Sequence, residues 1–194
     1  NPGKKGRWAP VIVSVEGGGK GLLASLISSL LGHHNCNTQL QYEQMVNQFS
    51  NILMGLQFGI INELDLSSRK NIKQLTNALK KFITDDTLTI ELKGRPQIKI
   101  PFFCNFIIYS NDADCLHLTK DSRRYLIIQV KQTQEDINEK LDSGTKDLIL
   151  DALEFGSDKI KHLLYHFKNI EIKDAKAFQE LLYQVGLKLI PTYT

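Results

Sequence analysis

Lys20 closes a run of three glycines in VSVEGGGKGLLASL, between an apolar segment and one with helical periodicity. Strand, glycine-rich turn, lysine and helix, in that order, are what a phosphate cradle needs. Glycines let backbone N–H groups converge on phosphate oxygens, the lysine adds a mobile charge, and the helix N-terminus adds its dipole. The loop is read as residues 14–21, with Glu16, Gly17, Gly18, Gly19, Lys20, Gly21 and Leu22 placed around the phosphates. Against the common pattern G-x-x-x-x-G-K-[ST], Ser14 stands at the first glycine and Gly21 at the hydroxyl residue that usually helps hold Mg2+. A ligand-free glycine turn is the plain alternative, and the place of Gly19-Lys20 at a strand–helix junction argues against it.

A second group follows in LQFGIINELD, where a buried strand delivers acids to one edge. A carboxylate there can order a Mg2+ shell or polarise an attacking water, so Glu63 is the expected general base. Glu63 and Asn62 are the expected metal-side residues, acting through water, although Asn62 stands where an aspartate is more usual. Asp65 could take part or simply cap the next helix. Asn111, at the end of FFCNFIIYSN, could orient the lytic water or sense a γ-phosphate, or be an ordinary turn residue. Arg123 and Arg124 precede a further apolar run. Such arginines are usually solvated, but in ring ATPases they reach a neighbour's site as arginine fingers.

The elements that must position these residues follow from periodicity. Residues 11–15 read as a buried strand, and Leu22/Leu23, Leu26/Ile27 and Leu30/Leu31 mark a helix that Gly32 ends. Residues 42–54 read as helical and 56–61 as a second buried strand. Ile72, Leu75, Leu79 and Phe82 predict an amphipathic helix whose other face carries Lys70, Lys73, Lys80 and Lys81. Leu88, Ile90 and Leu92, then Ile98 and Ile100, alternate about Gly94-Arg95-Pro96, which predicts a β-hairpin. Residues 102–109 and 125–130 read as third and fourth buried strands, and from about 135 onward the chain reads as helical. Apolar strands separated by helices imply a mostly parallel sheet covered on both faces, with ligands at the carboxyl ends of its strands. Lys20, Glu63 and Asn111 all fall there.

Composition excludes several classes. The chain of 194 residues has 42% apolar and 23% charged residues, enough for a full core without disulfides or metals. Its net charge of +3 is too mild to announce nucleic acid by itself. Cys36, Cys104 and Cys115 form no CxxC pair, so a disulfide framework or zinc ribbon is not expected. No apolar stretch approaches a membrane span and no signal peptide opens the chain, so a cytoplasmic setting without membrane contact is expected. Beginning at Asn1 rather than Met, the sequence reads as an excised piece. His162 and His166 lack the glutamate of a zinc protease and read as a helix surface, and His33, His34 and Cys36 as a loop. The lysine face at 70–81 reads as solvated.

Taken in order, NPGKK, EGGGKG, QFSNILMG, INELD, LKKFIT, ELKG and YSN…DSRRY resemble the superfamily 3 helicase domain of phage, plasmid and viral primase-helicases, of the poxvirus type. The match covers roughly residues 1–130, and ALEFGSDKIKHLLYHF is similar more loosely. The resemblance implies an AAA+-like P-loop NTPase with a β-hairpin insertion, forming a homo-hexameric ring on single-stranded or forked DNA. It implies that the hairpin at 87–100 grips the phosphate backbone through Lys93 or Arg95, which suits sequence-independent binding. It also implies that Arg124 or Arg123 acts across the subunit interface, and that a primase domain could precede residue 1.

The expected fold is therefore α/β, with an ATPase core at 1–134 and a C-terminal helical segment at 135–194. The expected function is ATP- and Mg2+-dependent DNA unwinding in the replication of a phage, plasmid or virus-like element within its host cell. Alternatives are a P-loop phosphotransferase, such as a nucleotide kinase, and a degenerate ATP-binding module for DNA binding or oligomerisation.

Overall fold

A computed structural model of the chain describes residues 5–41, 44–45, 51–62, 69–91, 94–111, 123–133, 135–136, 139, 143–154, 157–169 and 187–190. Its centre is a six-stranded sheet of β1 (Ala9–Val13), β2 (Cys36–Leu40), β3 (Phe58–Ile61), β6 (Asn105–Ser110), β7 (Tyr125–Val130) and β8 (Leu187–Ile190), in the order β2-β3-β6-β1-β7-β8. Every pairing is parallel except β7 with β8. A separate antiparallel hairpin consists of β4 (Thr87–Ile90) and β5 (Ile98–Pro101). Among the described residues the helices of ten or more residues are α1 (Lys20–Leu31), α2 (Arg69–Thr84), α3 (Ser143–Ala152) and α4 (Asp158–Asn169).

Alternating residues of the central strands feed two apolar layers, as a sheet covered on both faces requires. Val11, Val13, Ile61, Phe106 and Ile108 pack in one layer with Leu79 and Ile83 of α2 and Leu88 and Ile90 of the hairpin. Ile60, Ile107 and Tyr109 pack in the other with Ala24 and Ile27 of α1. Each fully buried side chain of this size contributes about 1.5–3 kcal/mol, so the two layers hold the parallel ladder together. Gly59 is needed for the closeness of this packing, since a Cβ there would stand 2.5 Å from Leu40 Cδ1 and 3.0 Å from Phe106 Cε1. α1 ends at Gly32, whose N–H still donates to Ser28 O at 2.9 Å while its φ of 91° turns the chain out of the helix.

The hairpin, α1 and α2 lie where periodicity predicts them, and β7 has the expected bounds. Other expectations need correction. The strand expected second is third, because β2 precedes it: CNTQL is polar and half-buried at a sheet edge, so it carries no apolar run to announce it. The expected strand at 102–109 begins only at Asn105, and Phe102 and Cys104 before it are buried core residues. Of the helix expected at 42–54, Asn51–Leu53 is a 3-10 turn, residues 44–45 are helical and the rest of 42–50 lies outside the described residues. The segment 135–194 is not wholly helical: β8 joins the main sheet beside β7. Among the described residues, no helix is long and apolar enough to cross a membrane.

Candidate functional site

β1 and β6 run side by side and end together. The ladder continues one step past β1, where Ser14 N–H donates to Ser110 O at 3.2 Å. The chain then reverses through two glycines with left-handed φ, Gly17 at 75° and Gly19 at 82°. That conformation favours glycine, which is why the sequence is glycine-rich at this point. The turn is pinned by Gly18 N–H to Val15 O at 3.1 Å, and α1 begins at Lys20 with Leu23 N–H on Gly19 O at 3.0 Å. The N-terminus of α1 has no side-chain cap and no acidic residue in its first turn. Its exposed N–H groups and positive dipole end are the elements of an anion site.

Lys20 folds back over this turn. Its Nζ donates to Ser14 O at 3.1 Å and to Oδ1 of Asn111, the residue that follows β6. Two of the expected site residues are thus in direct contact, although 91 positions apart. Glu16, Gly17 and Gly21 are exposed, Leu22 is half-buried, and a Cβ at Gly19 or Gly21 would meet nothing within 4 Å. The open space at Gly21 means that the missing hydroxyl reflects no steric exclusion. Ser14, by contrast, is buried, and its Oγ donates to Val15 O at 3.2 Å.

The carboxyl ends of β3, β6 and β1 form a row carrying Asn62, Asn111 and Ser14. Asn62 is tied sideways: its N–H donates to Leu40 O at 3.3 Å and its Nδ2 to Thr38 O at 2.9 Å, both on β2. Its amide therefore secures the edge strand, a structural task the sequence reading missed along with β2. Glu63, Asp65 and Lys93 lie outside the described residues. Arg95 is exposed beside Gly94, whose φ of 74° shapes the hairpin turn.

Arg123 and Arg124 lie at the opposite end of the strands. Arg124 O accepts from Ala9 N–H at 2.8 Å, at the start of β1, while the glycine turn lies beyond its end. A strand of this length spans ~16 Å, so these arginines stand apart from Lys20 of their own chain. Among the described residues no group of three His, Cys, Asp or Glu could hold a metal. His33 and His34 lie in a 3-10 turn and Cys36 opens β2, rather than all three sharing a loop. His162 Nδ1 lies 2.7 Å from Asp158 O within its own helix.

Residues 12–124 match the family model described as a family of unknown function, DUF5906, and the chain belongs to that family. It is 31% identical over 119 residues to the DNA primase-polymerase of Nitratiruptor phage NrS-1, covering 61% of this chain and 16% of that protein. Two apo structures of the NrS-1 C-terminal region are also similar. One has a TM-score of 0.66 at 23% identity over 89% of this chain and 45% of that one. The other, an A form, has a TM-score of 0.62 at 25% identity over 79% and 35%. The chain is therefore a relative of a phage DNA primase-polymerase, and it spans less than half of the solved region and about a sixth of the whole protein.

Proposed function

We propose that this chain is the ATP-driven motor of a DNA replication protein from a phage or related element, a P-loop NTPase that moves single-stranded or forked DNA as a homo-hexameric ring. The observation that carries the reading is Lys20, the first residue of a helix with no side-chain cap, whose ammonium donates to Ser14 O and Asn111 Oδ1. A lysine in that position, beside Gly19 and Gly21 with open space about them, fits the phosphates of a nucleotide. The relationship to a phage primase-polymerase supports a place in replication, beside a primase domain.

In this reading the glycine turn and Lys20 bind the phosphates, Glu63 takes the proton of the attacking water, and Asn111 orients that water or the terminal phosphate. Mg2+, when bound, supplies neutralisation of phosphate charge, with Glu63 and Asn62 as its protein-side residues through water. Arg124 or Arg123 reaches the site of the next subunit. Arg95 and Lys93 hold the DNA backbone at the hairpin turn.

Two observations favour a second reading, a degenerate module that binds nucleotide or DNA without turnover. Gly21 lacks the metal-side hydroxyl and the Asn62 amide is engaged by β2. ATP hydrolysis measured with and without single-stranded DNA, on the wild type, Lys20→Ala and Glu63→Gln, separates the two. DNA-stimulated turnover that both substitutions abolish is expected. No turnover by the wild type would leave the degenerate module, and phosphate transfer to a small acceptor would make the chain a phosphotransferase instead.

A further inference from the structure

Three consecutive residues near the start of the chain reach across to both ends of the hairpin. Lys5 Nζ donates to Phe82 O at 2.5 Å and to Asp85 O at 2.7 Å, and stands 4.1 Å from the centroid of the Phe102 ring. Gly6 N–H donates to Asn105 Oδ1 at 2.7 Å. The Arg7 guanidinium meets the Asp86 carboxylate at 2.8 Å. Phe82, Asp85 and Asp86 lead into β4, whereas Phe102 and Asn105 follow β5. The two ends are joined to each other by Phe102 N–H on Asp86 O at 2.9 Å, beside the Thr87–Pro101 pair at the hairpin root.

The residue types suit the task. A lysine at a helix C-terminus satisfies carbonyls that lack intrahelical partners and complements the dipole. Its cation also gains from the aromatic face beneath it. Arg7 adopts a φ of 55°, a left-handed conformation rare for a residue with a side chain, which its neighbours' bonds must hold. An exposed ion pair such as Arg7–Asp86 contributes little stability, so its value here is geometric. Two residues further on the chain enters β1, which runs directly to the glycine turn.

We propose that residues 5–7 are a positioning strap: Lys5, with Gly6 and Arg7, fixes the root of the hairpin to the strand that leads into the Lys20 turn, so that nucleotide events at that turn reach the hairpin. The strap rests on the function proposed above, in which the turn hydrolyses ATP and the hairpin grips single-stranded DNA. Lys5 is a positioning residue, since it acts through Phe102 and the end of α2.

The test uses the full chain with Lys5→Met, which keeps an apolar stem over Phe102 but removes the ammonium, and Lys5→Arg, which restores a cation. Basal ATPase, its stimulation by a single-stranded oligodeoxynucleotide, and hydrogen exchange of the hairpin amides are measured on each. Lys5→Met is expected to keep basal turnover, to lose about tenfold in stimulation and to exchange faster at the hairpin, with Lys5→Arg recovering all three. Undiminished stimulation in Lys5→Met overturns the strap alone, and so does a parallel loss of basal and stimulated turnover. A wild type that hydrolyses ATP without responding to DNA, or does not hydrolyse it, overturns the underlying reading and the strap's role with it.

Discussion

Ser14 and Gly18 share one space: a Cβ on Gly18 would stand 2.7 Å from Ser14 Oγ and 2.9 Å from Val15 O. The serine at the place of the usual first glycine is thus accommodated by a glycine four residues later. Gly18→Ala is expected to distort the turn, lowering nucleotide affinity and costing about 1–3 kcal/mol of stability. Combining it with Ser14→Gly removes one of the two clashes, so the pair is expected to be less damaging than the sum by about 0.5 kcal/mol or more. Denaturant melts and nucleotide titrations of the three variants check this, and strict additivity would contradict the shared space.

Gly21 offers the opposite case, since a Cβ added there would have nothing within 4 Å. Gly21→Ser should fit without rearrangement and raise stability by up to about 1 kcal/mol, the ordinary penalty of glycine in a helix. If the turn holds a nucleotide with its metal, the new hydroxyl also lowers the Mg2+ concentration needed for half-maximal turnover. A Mg2+ titration of ATPase activity, beside a thermal melt, reads both effects.

The separation of Arg124 from Lys20 within one chain gives a third expectation. Lys20→Ala and Arg124→Ala should each abolish turnover alone, yet regain part of it when the two proteins are mixed. An intact lysine turn can then face an intact arginine across an interface. The Lys20→Ala, Arg124→Ala double variant mixed with either single variant should gain less. No recovery on mixing would assign Arg124 a role within its own chain.

Lys5 gives a pH-dependent expectation. Burial lowers its ammonium from an ordinary 10.5 to about 8, against the opposing influence of the Asp86 and Asp85 carboxylates and with a small addition from Arg7. Cys104 is itself pushed up to about 12 by burial, so it stays neutral through this range. Between pH 8 and 10.5 the unfolded chain keeps a proton that the folded chain has released, so this group makes stability rise with pH across that window. Below it both states are protonated and the contribution is flat. Denaturation at several pH values should show the stability of the wild type rising relative to Lys5→Met through the window, and parallel curves would refute the assignment.

Much of the fold was legible because β1, β3, β6 and β7 are apolar runs, and such strands have few alternatives. The meeting of Lys20 with Asn111 followed from the rule that ligands gather at strand carboxyl ends. β2 was not legible, since Asn37, Thr38 and Gln39 give an edge strand no hydrophobic signature. The Asn62 tie to Thr38 was hidden with it. The partners of Lys5 and Gly6 lie 77 to 99 positions away, and nothing in local spacing encodes such pairings.

β1 and β6 are joined by their ladder along its length and by a side chain at either end, Asn105 on Gly6 and Asn111 on Lys20. Two rails braced in this way resist sliding past one another, because shear would break every rung and both end ties together. Displacement at one end of β1 is then carried through the ladder to β6 rather than absorbed between the two strands.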